Sequence, residues 1–346
     1  MALLAIDFMR RINTIQFFAF LLLFVGCDKE VSLDIPQSDI MLVANSIFTS
    51  DSILHLHLSK SNGGEPVQDA TIELFQNKSP IGVLGHLDSS LYKYDDLSLE
   101  QGMAYSIIIQ VPGYKELTAR DTIPNAIPIL DVNYRDSAGV ISSSFSSNRY
   151  LYSSFEITFA DPPGERNYYE IFILREADTS SLVLWDSTET DLVFNGISFW
   201  EIEKQSLHHQ NMTLFSFDQS IATEGFTVPE RIFPVQDILF FSDELFNGSE
   251  KTIRVNCWPY YTELYRSSSF FVPERKFTVY LRSVSKQYYS FRKTQKIYNE
   301  LIRQEDIWRG TGDYVQVYSN IENGYGLFAA YAVSLDSIVV NNTYTP

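Results

Sequence analysis

Residues 53–58 alternate without a break: Leu54, Leu56 and Leu58 fall on one side of an extended chain, and His55 and His57 on the other. A period of two is the mark of a strand with one buried face. The stretches 70–76, 105–111 and 117–121 repeat the pattern. Turn-forming clusters separate them: Ser61-Asn62-Gly63-Gly64-Glu65-Pro66, Asp88-Ser89-Ser90 and Pro112-Gly113-Tyr114. Short strands with turns at this spacing predict a β-sandwich over residues 38–125. Pro124 and Pro128 then stiffen the chain and interrupt sheet hydrogen bonding, which sets a boundary.

The remainder, 126–346, is also read as strands, at 155–159, 168–174, 214–217, 236–241, 252–258, 277–284 and 326–335. One helix is predicted near 285–304. Tyr288, Phe291, Tyr298, Leu301 and Ile302 recur at helical spacing, with Lys286, Arg292, Lys293 and Lys296 on a polar side. The stretches Arg135–Ser147 and 218–250 read largely as loop. The expected class is therefore mainly β: an immunoglobulin-like sandwich, which also resembles the carboxypeptidase-regulatory or transthyretin-like sandwiches, then a larger antiparallel β domain with one long helix.

The N-terminus carries a different signal. Arg10 and Arg11 precede an apolar run from Ile15 to Gly26, interrupted only by Gln16. That run is too short for the roughly twenty residues a membrane span needs, and it has the parts of a secretory signal. Phe24-Val25-Gly26-Cys27 resembles a bacterial lipobox, with Phe24 in place of the commoner Leu. The resemblance implies cleavage before Cys27, lipid on its sulfur and acylation of its amine, and several acyl chains together anchor stably. Residues 1–26 are then the signal and 27–37 a lipidated tether. Met9, directly before the arginines, offers an alternative start.

The chain has 26 basic and 43 acidic residues, a net charge of −17. Loss of residues 1–26 removes Arg10, Arg11 and Asp7 and leaves 24 basic and 42 acidic residues, net −18. Such a balance repels phosphate backbones, so nucleic acid is not an expected partner. It also argues against docking on anionic lipid by charge, which leaves the lipid as the anchor. Cys27 and Cys257 are the only cysteines, so a disulfide framework is excluded. Cys257, in the alternating stretch Ile253–Trp258, is expected to be a buried, inert thiol.

Three landmarks together resemble a Bacteroidota lipoprotein family, the domain-of-unknown-function family numbered forty-two forty-nine. They are Cys27–Pro36 with Leu42–Phe48, then Pro112-Gly113-Tyr114 with Ala119–Pro124, then Ser319–Phe328. The resemblance spans nearly the whole mature chain, and none of its motifs is catalytic. It implies an outer-membrane lipoprotein, periplasmic or surface-facing, with a TonB-dependent transporter as partner in ligand capture. A structural envelope protein or adhesin is the alternative, and a glycan- or peptide-processing enzyme a third reading. Fold alone carries no function across.

Motifs for catalysis and cofactors are missing. Gly310-Thr311-Gly312 follows a helix instead of opening one, and neither H-E-x-x-H nor G-x-S-x-G occurs. No catalytic residue, metal or cofactor is assigned. His55 and His57 share a strand face and could present two imidazoles to zinc, but an exposed sheet face explains them without metal. Tyr260, Tyr261, Tyr265, Trp308 and Tyr314 are candidate contact aromatics, against the plainer reading that aromatics fill the core. Asp-Ser or Asp-Thr followed by a small or aliphatic residue or Thr resembles the acceptor of Bacteroidota O-glycosylation. It makes Ser52, Thr122, Ser137, Ser187 and Ser337 candidate acceptors, although Asp and Ser also gather at turns.

Overall fold

The computed structural model describes residues 39–95, 99–142, 149–177, 183–184, 193–194, 197–198, 209–222, 238–257, 270–271, 274–303 and 315–341. The first strands are β1 (Leu42–Phe48), β2 (His55–Lys60), β3 (Thr71–Gln76), β4 (Ser79–Val83), β5 (Gly85–Asp88), β6 (Leu91–Lys93), β7 (Ala104–Gln110) and β8 (Leu117–Thr122). Their alternation decides which side faces in. Leu56 and Leu58 of β2 are buried while His55 and His57 are exposed. Strands β4-β3-β7-β8 form one sheet, and β1, β2, β6 and β5 belong to another. Ile72 and Leu74, Ile107 and Ile109 meet Leu42, Leu56 and Tyr92 in the core between them.

The second half contributes β9 (Ile129–Ser142), β10 (Arg149–Ala160) and β11 (Tyr168–Ala177). Five short strands follow: β12 (Val183–Leu184), β13 (Val193–Phe194), β14 (Ile197–Ser198), β15 (His209–Asn211) and β16 (Leu214–Phe215). The one-turn helix α1 (Gln219–Ala222) precedes β17 (Leu239–Ser242), β18 (Glu250–Cys257), β19 (Phe270–Phe271), β20 (Glu274–Val284), the long helix α2 (Lys286–Arg303) and β21 (Tyr325–Asn341). Sheet β16-β18-β10-β9 faces β11, β20 and β21 across a second core of Phe155, Ile157, Ile171, Ile253 and Val279. The mainly β class with one long helix is as expected from the alternation and the single helical stretch.

Strand β21 joins the halves. Residues 325–330 pair in parallel with β1, and residues 331–341 pair antiparallel with β20. A nine-stranded sheet results, ordered β15-β11-β20-β21-β1-β2-β6-β5, with β17 also on β11. Residues 40–346 form one unit. The join needs Gly326: its φ is +115°, and a Cβ there would lie 2.0 Å from the Ala44 carbonyl oxygen. Around it, Asn320 mimics a strand partner. It accepts the Phe328 N–H at 2.9 Å and donates to the Phe328 carbonyl at 2.7 Å.

One expectation is corrected. Arg135–Ser142 is strand, not loop: it is the second half of β9. A bulge opposite Tyr152–Ser154 places Ser137 at φ +49° and breaks the alternation, so Asp136-Ser137-Ala138-Gly139 mimics a turn. Gly139 is packed under the Tyr152 ring, where a Cβ would lie 2.3 Å from the hydroxyl. The Ser-rich stretch 143–147 lies outside the described residues.

Candidate binding site on the outer face of the large sheet

Alternation along β11 sends Tyr169, Ile171 and Ile173 into the second core, so Glu170 belongs on the outer face. It is nevertheless 0% exposed. Helix α2 lies over it, seated through Tyr288 and Tyr289 on Val284, Leu327 and Ala329. Ser285 caps the helix by accepting the Tyr288 N–H at 3.1 Å.

A buried carboxylate needs partners. Arg282, directly across on β20, donates from Nη1 to Glu170 Oε1 at 2.7 Å. The Tyr288 hydroxyl donates to Oε2 at 2.9 Å, and Arg292 Nε lies 3.9 Å from the same oxygen. Burial, then the carboxylate, holds the Tyr288 hydroxyl above its usual pKa. Both arginines also rest on rings. The Arg282 guanidinium carbon is 4.7 Å from the Phe172 centroid and 4.4 Å from that of Tyr331. That of Arg292 is 5.1 Å from the Phe240 centroid. Beside them Phe172 and Tyr280 stack at 4.5 Å. The cluster carries two positive charges against one negative. Glu170 is engaged on both oxygens, whereas the arginines keep donors to spare. Paired arginines with spare donors suit recognition of an anion.

Other buried acids act as ties within the fold. Asp121 Oδ2 accepts the Ala330 N–H at 2.7 Å. Burial pushes its pKa up to about 6, against the opposing pull of Ser285 and of the Thr122 and Ala330 amides. Asp161 accepts the Tyr169 hydroxyl and, at 2.7 Å, the Gly248 N–H. Asp243 accepts the Asn167 N–H at 2.8 Å, and burial raises its pKa. These bonds lock the loops at 161–167 and 243–249 together. Cys257 is buried, as expected, and burial pushes its thiol up to about 12.

The residues singled out from sequence fall as follows. Cys27, Ser187, Tyr260, Tyr261, Tyr265, Trp308 and Tyr314 lie outside the described residues. Ser52, Thr122, Ser137 and Ser337 are exposed. Three of these sites share a local bond: Asp136 accepts the Ser137 N–H at 3.0 Å, Asp336 accepts that of Ser337 at 2.8 Å, and Asp121 accepts that of Thr122. Asp before Ser or Thr thus has a backbone role of its own at these positions. His57 Nδ1 is 3.3 Å from Ser90 Oγ, and among the described residues no group of three or more His, Cys, Asp or Glu is placed to hold a metal. Glu170 and Arg282 were not singled out, and Arg292 was read only as part of a polar helix face. Each lies at an outward position, and their meeting under a helix is a tertiary event. The available signal was Glu170 two residues before Phe172 in one alternating stretch, and Arg282 two residues after Tyr280 in another that leads into a basic helix.

Among the described residues, the fold is that of a mainly β protein of several antiparallel sheets with one long covering helix, and the sheets close no barrel. The chain belongs to the family described as Domain of unknown function (DUF4249), whose model matches residues 28–336. No curated protein matches it. Among solved structures, a chain described as a membrane-anchored protein from Corynebacterium diphtheriae is similar at 10% identity, over 70% of this chain and 54% of its own, with a TM-score of 0.20. This chain therefore spans about half the length of that one, and the score is too low to establish a common fold.

Proposed function

We propose that this protein is a lipid-anchored, non-catalytic envelope protein that works by binding, as the accessory or ligand-capture partner of a TonB-dependent outer-membrane transporter. The observation that carries the reading is Phe24-Val25-Gly26-Cys27 at the end of a short apolar run, followed by a polar tether and then β1. Family membership supports it, and so does the internal use of the buried acids. Among the described residues no helix is long and apolar enough to cross a membrane. Lipid on Cys27 supplies the attachment. Ser52, Thr122, Ser137 and Ser337 are exposed residues, the Ser337 hydroxyl lying 3.0 Å from Thr278 Oγ1, and we include O-glycosylation among them in the proposal.

The test is fractionation of Cys27→Ser in the native host, with intact mass of the wild type. The variant is expected to leave the membrane fraction or to accumulate unprocessed. The wild-type mass is expected to equal the mature chain plus acyl groups and glycan. A Cys27→Ser protein that stays with outer membrane through a carbonate wash removes the anchor, and a mass with no glycan removes the modification. Copurification of a transporter after mild detergent extraction tests the partner.

A further inference from the structure

We propose that Arg282 and Arg292 form a receptor for a carboxylate borne on an apolar group, on the outer face of the large sheet beside α2. The proposal goes beyond the anchoring role and does not depend on it.

Three observations converge. First, the guanidinium groups are held in place yet not used up. Arg282 gives one Nη1 bond to Glu170, and Arg292 gives one to Gln295 at 3.2 Å. Their side chains are 25% and 26% exposed, and neither Nη2 bonds to a described residue. The rings beneath them fix their planes, so a ligand need not order them. Second, the charge is segregated. Residues 274–303 contain eight basic and two acidic residues, net +6, in a chain of net −17. Arg275, Lys276 and Arg282 of that segment pair with Asp136, Glu176 and Glu170, so the positive surplus that draws an anion lies along α2, which carries five basic residues and Glu300. Third, the register supplies an apolar neighbour. Phe172, Tyr280 and Leu335 sit side by side on β11, β20 and β21, two residues along from the Glu170–Arg282 pair and so on the same face. Leu335 is 59% exposed, and Phe172 and Tyr280 are partly exposed. A planar carboxylate fits the guanidinium forks, and the group bearing it fits the ring pair and Leu335. Phosphate would gain the charge and lose the apolar contact.

The test titrates the full-length protein in detergent with phenylacetate, acetate and inorganic phosphate, followed by ligand-observed NMR. Phenylacetate is expected to bind saturably and about tenfold more tightly than either small anion. Arg292→Gln leaves Glu170 with Arg282 and Tyr288, and should weaken phenylacetate about tenfold. Leu335→Glu changes an exposed side chain and should do the same with Tm unchanged. No saturable binding by the wild type up to roughly 10 mM phenylacetate overturns the proposal. So does phosphate binding as well as phenylacetate, or binding that survives both substitutions. Loss of binding in Leu335→Glu alone, should Arg292→Gln fail to fold, still supports it.

Discussion

At Gly326 the β1 and β21 backbones, far apart in sequence, touch. Gly326→Ala would set a methyl against the Ala44 carbonyl and force φ +115° on a residue with a Cβ. We expect a loss of more than about 3 kcal/mol in urea unfolding, because neither backbone can yield alone. Asp121 is the second residue with a sharp consequence. Its pKa is raised from 3.8 to about 6, so the folded chain holds this proton more tightly than the unfolded one. The contribution is therefore fully present below 3.8 and is lost as pH rises through about 6. Taken alone it makes stability fall across that window by about 3 kcal/mol. Asp121→Asn keeps an oxygen for the Ala330 N–H, and its unfolding free energy should lose this part of the pH slope. A slope equal to that of the wild type would show that Asp121 does not titrate there. Both residues lie in stretches already marked in the sequence, Ala119–Pro124 and Ser319–Phe328. Their roles were not legible, because each is set by an atom of a distant strand.

Among the elements, legibility followed local geometry. Helix α2 (Lys286–Arg303) falls where Tyr288, Phe291 and Tyr298 recur at helical spacing, and β2, β3, β7, β8, β11, β18 and β20 fall where alternation is clean. Strands β4, β5 and β6 escaped because they are short and half polar, and β9 because its bulge breaks the period. Which sheet face α2 covers was not legible. An outward Glu170 reads as solvated until the helix is in place. The docking gives its own prediction. Glu170→Ala removes the acceptor shared by Arg282 and Tyr288 and leaves their polar groups under the helix without it. Breaking a buried pair in this way costs about 3–5 kcal/mol. The loss should appear in hydrogen exchange as faster opening of α2 and β11, with β3 and β7 in the other core little changed. Uniform acceleration across the molecule would mean that the cluster does not tie the helix specifically.

For the whole molecule the decisive element is β21, a 17-residue strand. Phe328, Ala330 and Ala332 complete the first core, Leu327 and Ala329 lie under α2, and Ile338 and Val340 pack against the second core. Pro124 and Pro128 suggest a boundary after residue 125 in the sequence. Yet the first core is closed by side chains from some two hundred residues later, and β1 takes its parallel partner from there. Parallel pairing between ends so distant has no short-range signature, so nothing in residues 38–125 announces it. A fragment of residues 38–125 would have β1 and β2 but would expose Leu42, Ala44 and Phe48 where Phe328 and Ala330 belong. Phe48 alone would lose a ring neighbour at 4.5 Å. Losing a core aromatic costs about 3–5 kcal/mol, which is comparable to the whole stability of a domain this small. The fragment is therefore expected to show no cooperative urea transition by circular dichroism. Supplying residues 315–341 as a separate peptide should restore part of one, since it returns both the strand and the rings. A fragment that unfolds cooperatively alone would mean that the first core is self-sufficient and that β21 only decorates it.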